Sequence, residues 1–204
     1  MDFCGVEKSG EMGLNVKIDL RDVYEIVQEE REQRASAFDT ILRSGEKVRL
    51  GVIIAQTPHP LMKNVYNLAF GPMRKDGSVN DKVRLSHRDH SKVFSTVALE
   101  VLSFLIEHPD KYVGINGSDY VRAHMYYRCI RNNFENLSTI FTIQGIKYYI
   151  RMLRQAEDGS CDFDEDDIIT KYESITPDKK TPPEKLYNYF ILNLKHRQGL
   201  ASPI

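Results

Sequence analysis

Hydrophobic and polar positions follow two different periods along this chain, and the change of period separates predicted strands from predicted helices. Residues 38–57 contain two apolar runs rich in β-branched side chains around Ser44 and Gly45, a pattern that predicts a β-hairpin. Further runs with strand character are NVYNLAFG, KVRLSH, KYVGIN and TIFTIQ. Together these runs predict an antiparallel sheet of about five to six strands.

A helical period takes over in the middle of the chain. Apolar side chains recur at four-residue spacing over residues 93–106, with Asp89 or Ser91 as the N-cap and Pro109 beyond the end. A second helix is predicted over residues 117–131. We expect two main helices on one face of the sheet, which is an α+β fold.

Helical additions are predicted at both ends of this unit. These are a charged helix over residues 20–34 with a narrow apolar stripe, and a C-terminal helix that begins at Thr181. Within the core, a third helix is predicted from the spacing of Ile146, Tyr149, Ile150 and Leu153. The predicted segments are an N-terminal helical extension, an α+β core, an acidic linker and a C-terminal helix, at residues 1–35, 36–156, 157–180 and 181–204.

Composition narrows the class of protein. The 204 residues include 28% charged side chains, carry a formal net charge of −1 and contain three cysteines with no CxxC spacing. These values exclude a largely disordered chain and a disulfide scaffold, and the odd cysteine count favours a reducing compartment. No apolar stretch reaches the roughly 20 residues of a membrane span. We therefore expect a cytoplasmic protein without a membrane partner.

Three motifs carry a resemblance to a known family. They are NVYNLAFG, DHSKVFSTVA and GSDYVRAHMYY, between about residues 38 and 146. The chain resembles a family of uncharacterised bacterial proteins, domain of unknown function 6934. Gly117, Ser118, Arg122 and Tyr126 match its last motif, while Asp119 stands where threonine is usual. The resemblance implies a fold and no reaction.

The same four residues form the candidate anion- or ligand-binding site. Gly117 and Ser118 precede a predicted helix, whose free amides and dipole favour negative charge. Arg122 lies one turn further on and can grip an anion through two hydrogen bonds, and Tyr126 lies beside it. The alternative is that Ser118 only caps the helix and Arg122 forms a structural salt bridge.

No catalytic, metal or cofactor site is predicted. His87 and His90 flank Arg88 and Asp89, but a metal needs three or four converging ligands, so a solvated turn is favoured. Cys129 lies within a helix without a nucleophile motif, and a buried structural thiol is expected.

Two charged blocks lie next to each other. Residues 120–155 carry six basic side chains and one acidic one, whereas residues 157–167 carry seven acidic side chains and no basic one. The acidic block is predicted to be a solvated loop that covers the basic surface. The candidate basic patch comprises Arg128, Arg131, Lys147, Arg151 and Arg154.

The C-terminal helix is predicted to be an interaction element. Its broad apolar surface must be covered by the core, by a protein partner or by a second copy of the chain. The residues that form this surface are Leu186, Tyr187, Phe190, Ile191 and Leu194.

The leading functional hypothesis is a non-catalytic binding or regulatory module. One alternative is a nucleic-acid-associated protein that uses the basic helices predicted over residues 120–155. Another is an acyltransferase-like or other enzyme, although the turn SHRDHSK before the first helix contains no glycine with which to seat a pyrophosphate.

Overall fold

One mixed sheet of eight strands forms the frame of the fold. The structure is a computed structural model, and it describes residues 15–117, 119–155, 161–178, 181 and 186–195. The side chains of Arg31, Tyr120, 150–155 and 161–167 lie outside this description. The strands are β1 (Ile26–Glu30), β2 (Ala35–Ile41), β3 (Lys47–Ile54), β4 (Val65–Pro72), β5 (Tyr112–Asn116), β6 (Phe141–Gln155), β7 (Cys161–Ser174) and β8 (Tyr189–Leu194).

The strand order is β1-β2-β3-β4-β5-β8-β6-β7. Neighbouring strands are antiparallel except β4 and β5, which run parallel. A parallel pair needs a long crossover, and α1 (His90–Glu107) supplies it. The other helices in the described residues are α2 (Tyr120–Asn132) and α3 (Phe134–Leu137). The predicted α+β class is confirmed, and the sheet is larger and more mixed than predicted.

Alternation along β8 separates two hydrophobic clusters. Phe190 and Leu192 join the main core, which also contains apolar residues of α1 and α2. Tyr189 and Ile191 belong to a smaller cluster that includes Met62. Because successive strand residues point to opposite faces, the two helices share one face and the segment around Met62 covers part of the other.

The predicted N-terminal helix over residues 20–34 is wrong within the described residues. Ile26–Glu30 form β1, which pairs with β2 and places Ile26 opposite Phe38. The narrow apolar stripe could not stabilise a helix alone, whereas the sheet satisfies the backbone of this segment. The predicted strand KVRLSH is also wrong, because this segment is a loop with one bridge between His87 and Leu42.

The predicted third helix is wrong as well, because its residues belong to the long strand β6. Ile146 and Ile150 are four residues apart. An even spacing fits the face of a strand as well as the turn of a helix, so the pattern was ambiguous.

The predicted acidic linker is partly strand. Residues 156–160 lie outside the description, but Cys161–Ser174 form β7. The register places Asp164 opposite Arg151 and Asp162 opposite Arg154. Opposite charges at facing positions favour strand pairing, and this offsets the low strand propensity of aspartate.

The predicted C-terminal helix is wrong where the chain is described, because its apolar run forms β8 between β5 and β6. Tyr187, Phe190 and Ile191 are 1%, 0% and 3% exposed. A run that is apolar at consecutive positions suits a strand covered on both faces. The predicted interaction surface is therefore covered within the chain itself. The division into four segments stays a prediction.

Candidate ligand-binding cleft

A cleft of about 220 Å³ lies where the starts of α1 and α2 meet the end of β4 and the loop that follows it. Two of the sequence candidates, Arg122 and Tyr126, line it together with residues that are distant in sequence. We call it the His87–Arg122 cleft. Its polar lining residues are Asp81, Arg84, His87, His90, Arg122 and Tyr126.

The loop before α1 is fixed to the β2–β3 hairpin by backbone hydrogen bonds. The amide of Arg43 donates to the Ser86 carbonyl at 2.8 Å, and the amide of Arg88 donates to the Ile41 carbonyl at 2.8 Å. Asp89 then caps α1, and its carboxylate accepts from the Lys92 amide at 2.9 Å. His87 is held between these contacts and lines the cleft.

Both histidines of the cleft are largely uncharged near neutral pH. Burial, followed by the nearby His90, lowers the pKa of His87 to about 4. Burial, followed by Arg43, also lowers the pKa of His90. The two rings lie 5.5 Å apart in an edge-to-face arrangement. An uncharged imidazole offers one donor and one acceptor, so these side chains can orient a ligand without adding charge.

His87 contains a buried polar atom without a partner. Its side chain is 8% exposed, and its Nδ1 atom has no hydrogen-bond partner among the described residues. A buried polar group left unsatisfied costs about 1–3 kcal/mol. His87 lines the cleft, but this nitrogen is shielded in the present conformation, so a bound molecule would reach it only after rotation of the imidazole ring.

Three charged side chains, Arg84, Asp119 and Arg122, lie close together at the start of α2. The Asp119 carboxylate lies 3.6 Å from Arg122 Nε and 3.5 Å from an Arg84 guanidinium nitrogen. It also accepts from the Arg122 amide at 2.9 Å, and this backbone hydrogen bond is the main reason that its pKa is lowered. Asp119 thus caps α2 and partly neutralises two arginines.

Tyr126 completes the cleft as a neutral phenol. Burial raises its pKa to about 12, although Arg122 acts in the opposite direction. Its ring centroid lies 6.3 Å from that of Phe70 and 6.4 Å from that of Phe190, so the ring is part of the aromatic core. The phenol therefore joins the polar lining to the apolar interior.

Gly117 and Ser118, the two other candidates from the sequence, are not among the described residues that line the cleft. A Cβ atom on Gly117 would approach Ala123 Cβ to 2.7 Å, so glycine allows β5 and α2 to pack closely. Ser118 lies outside the described residues. The Arg122 amide is occupied by Asp119, which weakens the case for an anion at the helix terminus itself.

The residues of the candidate basic patch lie on a helix and a strand, whereas the sequence predicted helices throughout residues 120–155. Arg128 and Arg131 lie on α2, where the Arg131 guanidinium is 6.0 Å from the Tyr127 ring centroid. Lys147 lies on β6 and is 3.4 Å from Glu173. The side chains of Arg151 and Arg154 are outside the description.

Nucleophilic aliphatic hydroxyl and thiol side chains are absent from the described lining of the cleft. The lining of the His87–Arg122 cleft includes no serine, threonine or cysteine. Burial raises the pKa of the Cys129 thiol to about 12, which keeps it protonated. In the same part of the chain, no group of three or more His, Cys, Asp or Glu side chains is arranged to hold a metal ion.

None of the helices in the described residues has both the length and the apolar character that a membrane-spanning helix requires.

Comparison with known proteins identifies the family. No curated protein and no solved structure matches the chain. A family model described as "Family of unknown function (DUF6934)" matches residues 21–160, which include every polar residue of the cleft. Because the match spans more than half of the sequence, this chain belongs to the DUF6934 family.

Proposed function

We propose that this chain is a non-catalytic binding module that holds a small organic anion in the His87–Arg122 cleft. The observation that carries the proposal is that His87, whose buried Nδ1 has no partner among the described residues, lines the same cleft as Arg122. In its Nδ1–H form, the neutral imidazole can donate to a ligand oxygen. Arg122 and Arg84 supply the positive charge that attracts an anion.

The acyltransferase-like alternative has weaker support. The turn before α1 contains no glycine, and the Asp89 carboxylate occupies the N-cap. A carboxylate there repels the pyrophosphate that such a turn would have to seat. A protein partner or a second copy of the chain stays a prediction. It is no longer motivated by an apolar C-terminal helix, since that apolar run is buried in the sheet.

Calorimetry and thermal unfolding test the proposal with four probes: acetate, phenylacetate, sulfate and inorganic phosphate. We expect at least one probe to bind wild type in a 1:1 complex. Arg84→Gln should weaken binding by about tenfold, because one charge-assisted contact contributes about 1.5–3 kcal/mol and solvent screens part of it. Arg84 is largely exposed, so this variant should fold.

Arg74→Gln is the matched control. Arg74 is exposed in a turn outside the cleft, and its replacement should leave affinity unchanged. The proposal is wrong if none of the four probes binds wild type, or if Arg84→Gln and Arg74→Gln bind alike.

A further inference from the structure

We infer that the anion of the His87–Arg122 cleft is a monocarboxylic acid with a compact apolar body, such as an aromatic ring or a branched chain. This inference rests on the proposed function and adds the class of ligand. It follows from the apolar wall of the cleft, its charge balance and its size.

A large part of the cleft lining is apolar and forms what we call the apolar wall. Phe70 and Phe94 contact each other edge-to-face with ring centroids 5.8 Å apart, and both line the cleft. Val83, Val121 and Met125 extend the same lining. A ligand rich in hydroxyl groups would leave them unsatisfied against this wall, whereas a hydrocarbon body would remove apolar surface from water.

The charges of the cleft favour a single negative charge on the ligand. The lining contains Arg84, Arg122 and Asp81, and both arginines are also close to Asp119. The formal charges of the two arginines and the two carboxylates cancel, so the cleft has no surplus positive charge to offset a dianion. Repulsion from the Asp81 and Asp119 carboxylates is greater for a phosphate dianion than for a monoanion, which can approach the guanidinium groups at a lower electrostatic cost.

The polar contacts suit a carboxylate. Its two oxygens accept several hydrogen bonds in one plane, which matches the planar fork of an arginine side chain. The nine-tenths buried His87 and Arg122 provide donors of different charge in the same cavity. A carboxylate can use both donors while its apolar body lies against the aromatic wall.

The volume limits the size of the body. An apolar cavity of roughly 150 Å³ holds a benzene molecule in another protein. The about 220 Å³ of this cleft therefore accommodates a six-membered ring with a carboxylate.

Calorimetry with the full chain near pH 7.5 tests the class of ligand. The apolar acids are phenylacetate, benzoate and isovalerate, and the comparison probes are acetate, phenylacetamide and inorganic phosphate. We expect at least one apolar acid to bind 1:1 and at least about tenfold more tightly than each comparison probe. This factor reflects the loss of either the apolar body or the charge.

Val83→Asn tests the contribution of the ligand's apolar body to affinity separately from that of its carboxylate. Val83 is 44% exposed in a loop, so the variant should fold while the wall becomes more polar. The variant should weaken the binding of the apolar acid several-fold and leave the affinity for acetate unchanged. Ile106→Asn, at a 62% exposed position of α1 outside the cleft, is the control and should leave every affinity unchanged.

The outcomes distinguish the inference from the proposed function. If phosphate or acetate binds at least as tightly as all three apolar acids, the ligand class is wrong and anion binding stands. Equal affinity for phenylacetamide and phenylacetate overturns both, because charge then plays no part. Absence of binding for all six probes at about 10 mM also overturns both.

Discussion

Asp39 shows how one carboxylate fixes a hairpin. It lies opposite Arg49 in the β2–β3 register and accepts two hydrogen bonds from that guanidinium, at 2.8 and 3.2 Å. Lys47 Nζ approaches the same carboxylate to 2.9 Å. Arg49, followed by Lys47, lowers the pKa of Asp39 from 3.8 to about 2. The carboxylate is mostly shielded from solvent, whereas both cations are largely exposed.

Replacement of this carboxylate should destabilise the fold in a pH-dependent way. At pH 7, Asp39→Asn should lower the free energy of unfolding by about 1–2 kcal/mol, less than the full pKa shift implies because solvent screens the cations. A depressed folded-state pKa stabilises the protein above 3.8, and this stabilisation is lost as the pH falls through about 2.

Urea unfolding followed by circular dichroism at several pH values measures the effect. The difference between wild type and Asp39→Asn should shrink as the pH falls from about 4 to about 2. Asp110→Asn, at an exposed position, is the control and should change the free energy of unfolding by less than about 0.5 kcal/mol. A difference that is equally large at both ends of this range would contradict the ion-pair explanation.

At the scale of elements, local signals predicted well. Gly45 has a positive φ of 91°, as a tight hairpin turn requires, and the hairpin around it is confirmed. Asp89 caps α1 where the four-residue period begins. Strand β5 and helix α2 also lie where their patterns predicted them. In each case, residues next to each other in sequence determine the conformation.

Elements defined by distant partners could not be predicted in the same way. Strand β8 is paired on both sides by strands from earlier in the chain, and β7 is stabilised by pairing with β6. The sequence contains the apolar and acidic runs but not the register that gives them a partner. Propensity is a weak guide when such tertiary pairing decides.

The β6–β7 hairpin places the two charged blocks face to face. Strand β8 pairs with β6 only as far as Ile146, so beyond that point the described residues form a two-stranded ribbon. Arg151 lies opposite Asp164, and Arg154 lies opposite Asp162. This register supports the hypothesis that the acidic block balances the basic one, with a strand in place of the predicted loop.

Neutralisation of the acidic strand should unmask binding to nucleic acid. The combined variant Asp162→Asn, Asp164→Asn, Asp166→Asn and Asp167→Asn leaves Arg151 and Arg154 without facing carboxylates. We expect weak RNA or DNA binding in a gel-shift or anisotropy assay at low salt. If three phosphates are contacted, affinity should fall about 40-fold between about 50 and 200 mM salt.

A matched variant separates this local effect from a change of net charge. It neutralises four exposed acids elsewhere, as Glu30→Gln, Glu32→Gln, Glu46→Gln and Asp178→Asn, and should not bind. If the strand variant stays unbound at low salt, or if both variants bind equally, the nucleic-acid hypothesis is wrong.

At the scale of the whole molecule, the cleft depends on the topology. Its lining comes from β3, β4, the loop before α1, and both long helices. The pairing of Arg122 with Tyr126 was predictable from helical spacing, and His87 and His90 stood out as a local motif. Their convergence follows from the crossover through α1, which no short sequence pattern contains.

Strand β8 joins the two parts of the sheet. It is the strand between β5 and β6 in the order of the described sheet, so strands β1–β5 connect to the β6–β7 hairpin through it. Ile191 lies opposite Gly114 on one side and Gln144 on the other, and its side chain is 3% exposed. The last described strand in sequence is thus central to the sheet.

Truncation of Ile191 should therefore destabilise the whole fold. Ile191→Ala should lower the free energy of unfolding by about 2–5 kcal/mol, since it removes buried apolar volume beside two neighbouring strands. Ile169→Ala makes the same chemical change on the edge strand β7 at a 60% exposed position, and should cost less than about 1 kcal/mol.

Urea unfolding of both variants, monitored by circular dichroism, measures these costs. Calorimetric binding of phenylacetate to both variants is a separate measurement that completes the comparison. Because β8 connects the sheet, the loss in Ile191→Ala should appear as one cooperative transition at lower urea with an unchanged slope. Equal costs for the two variants would contradict the central place of β8. A two-step transition confined to Ile191→Ala would instead mean that the halves of the sheet unfold separately.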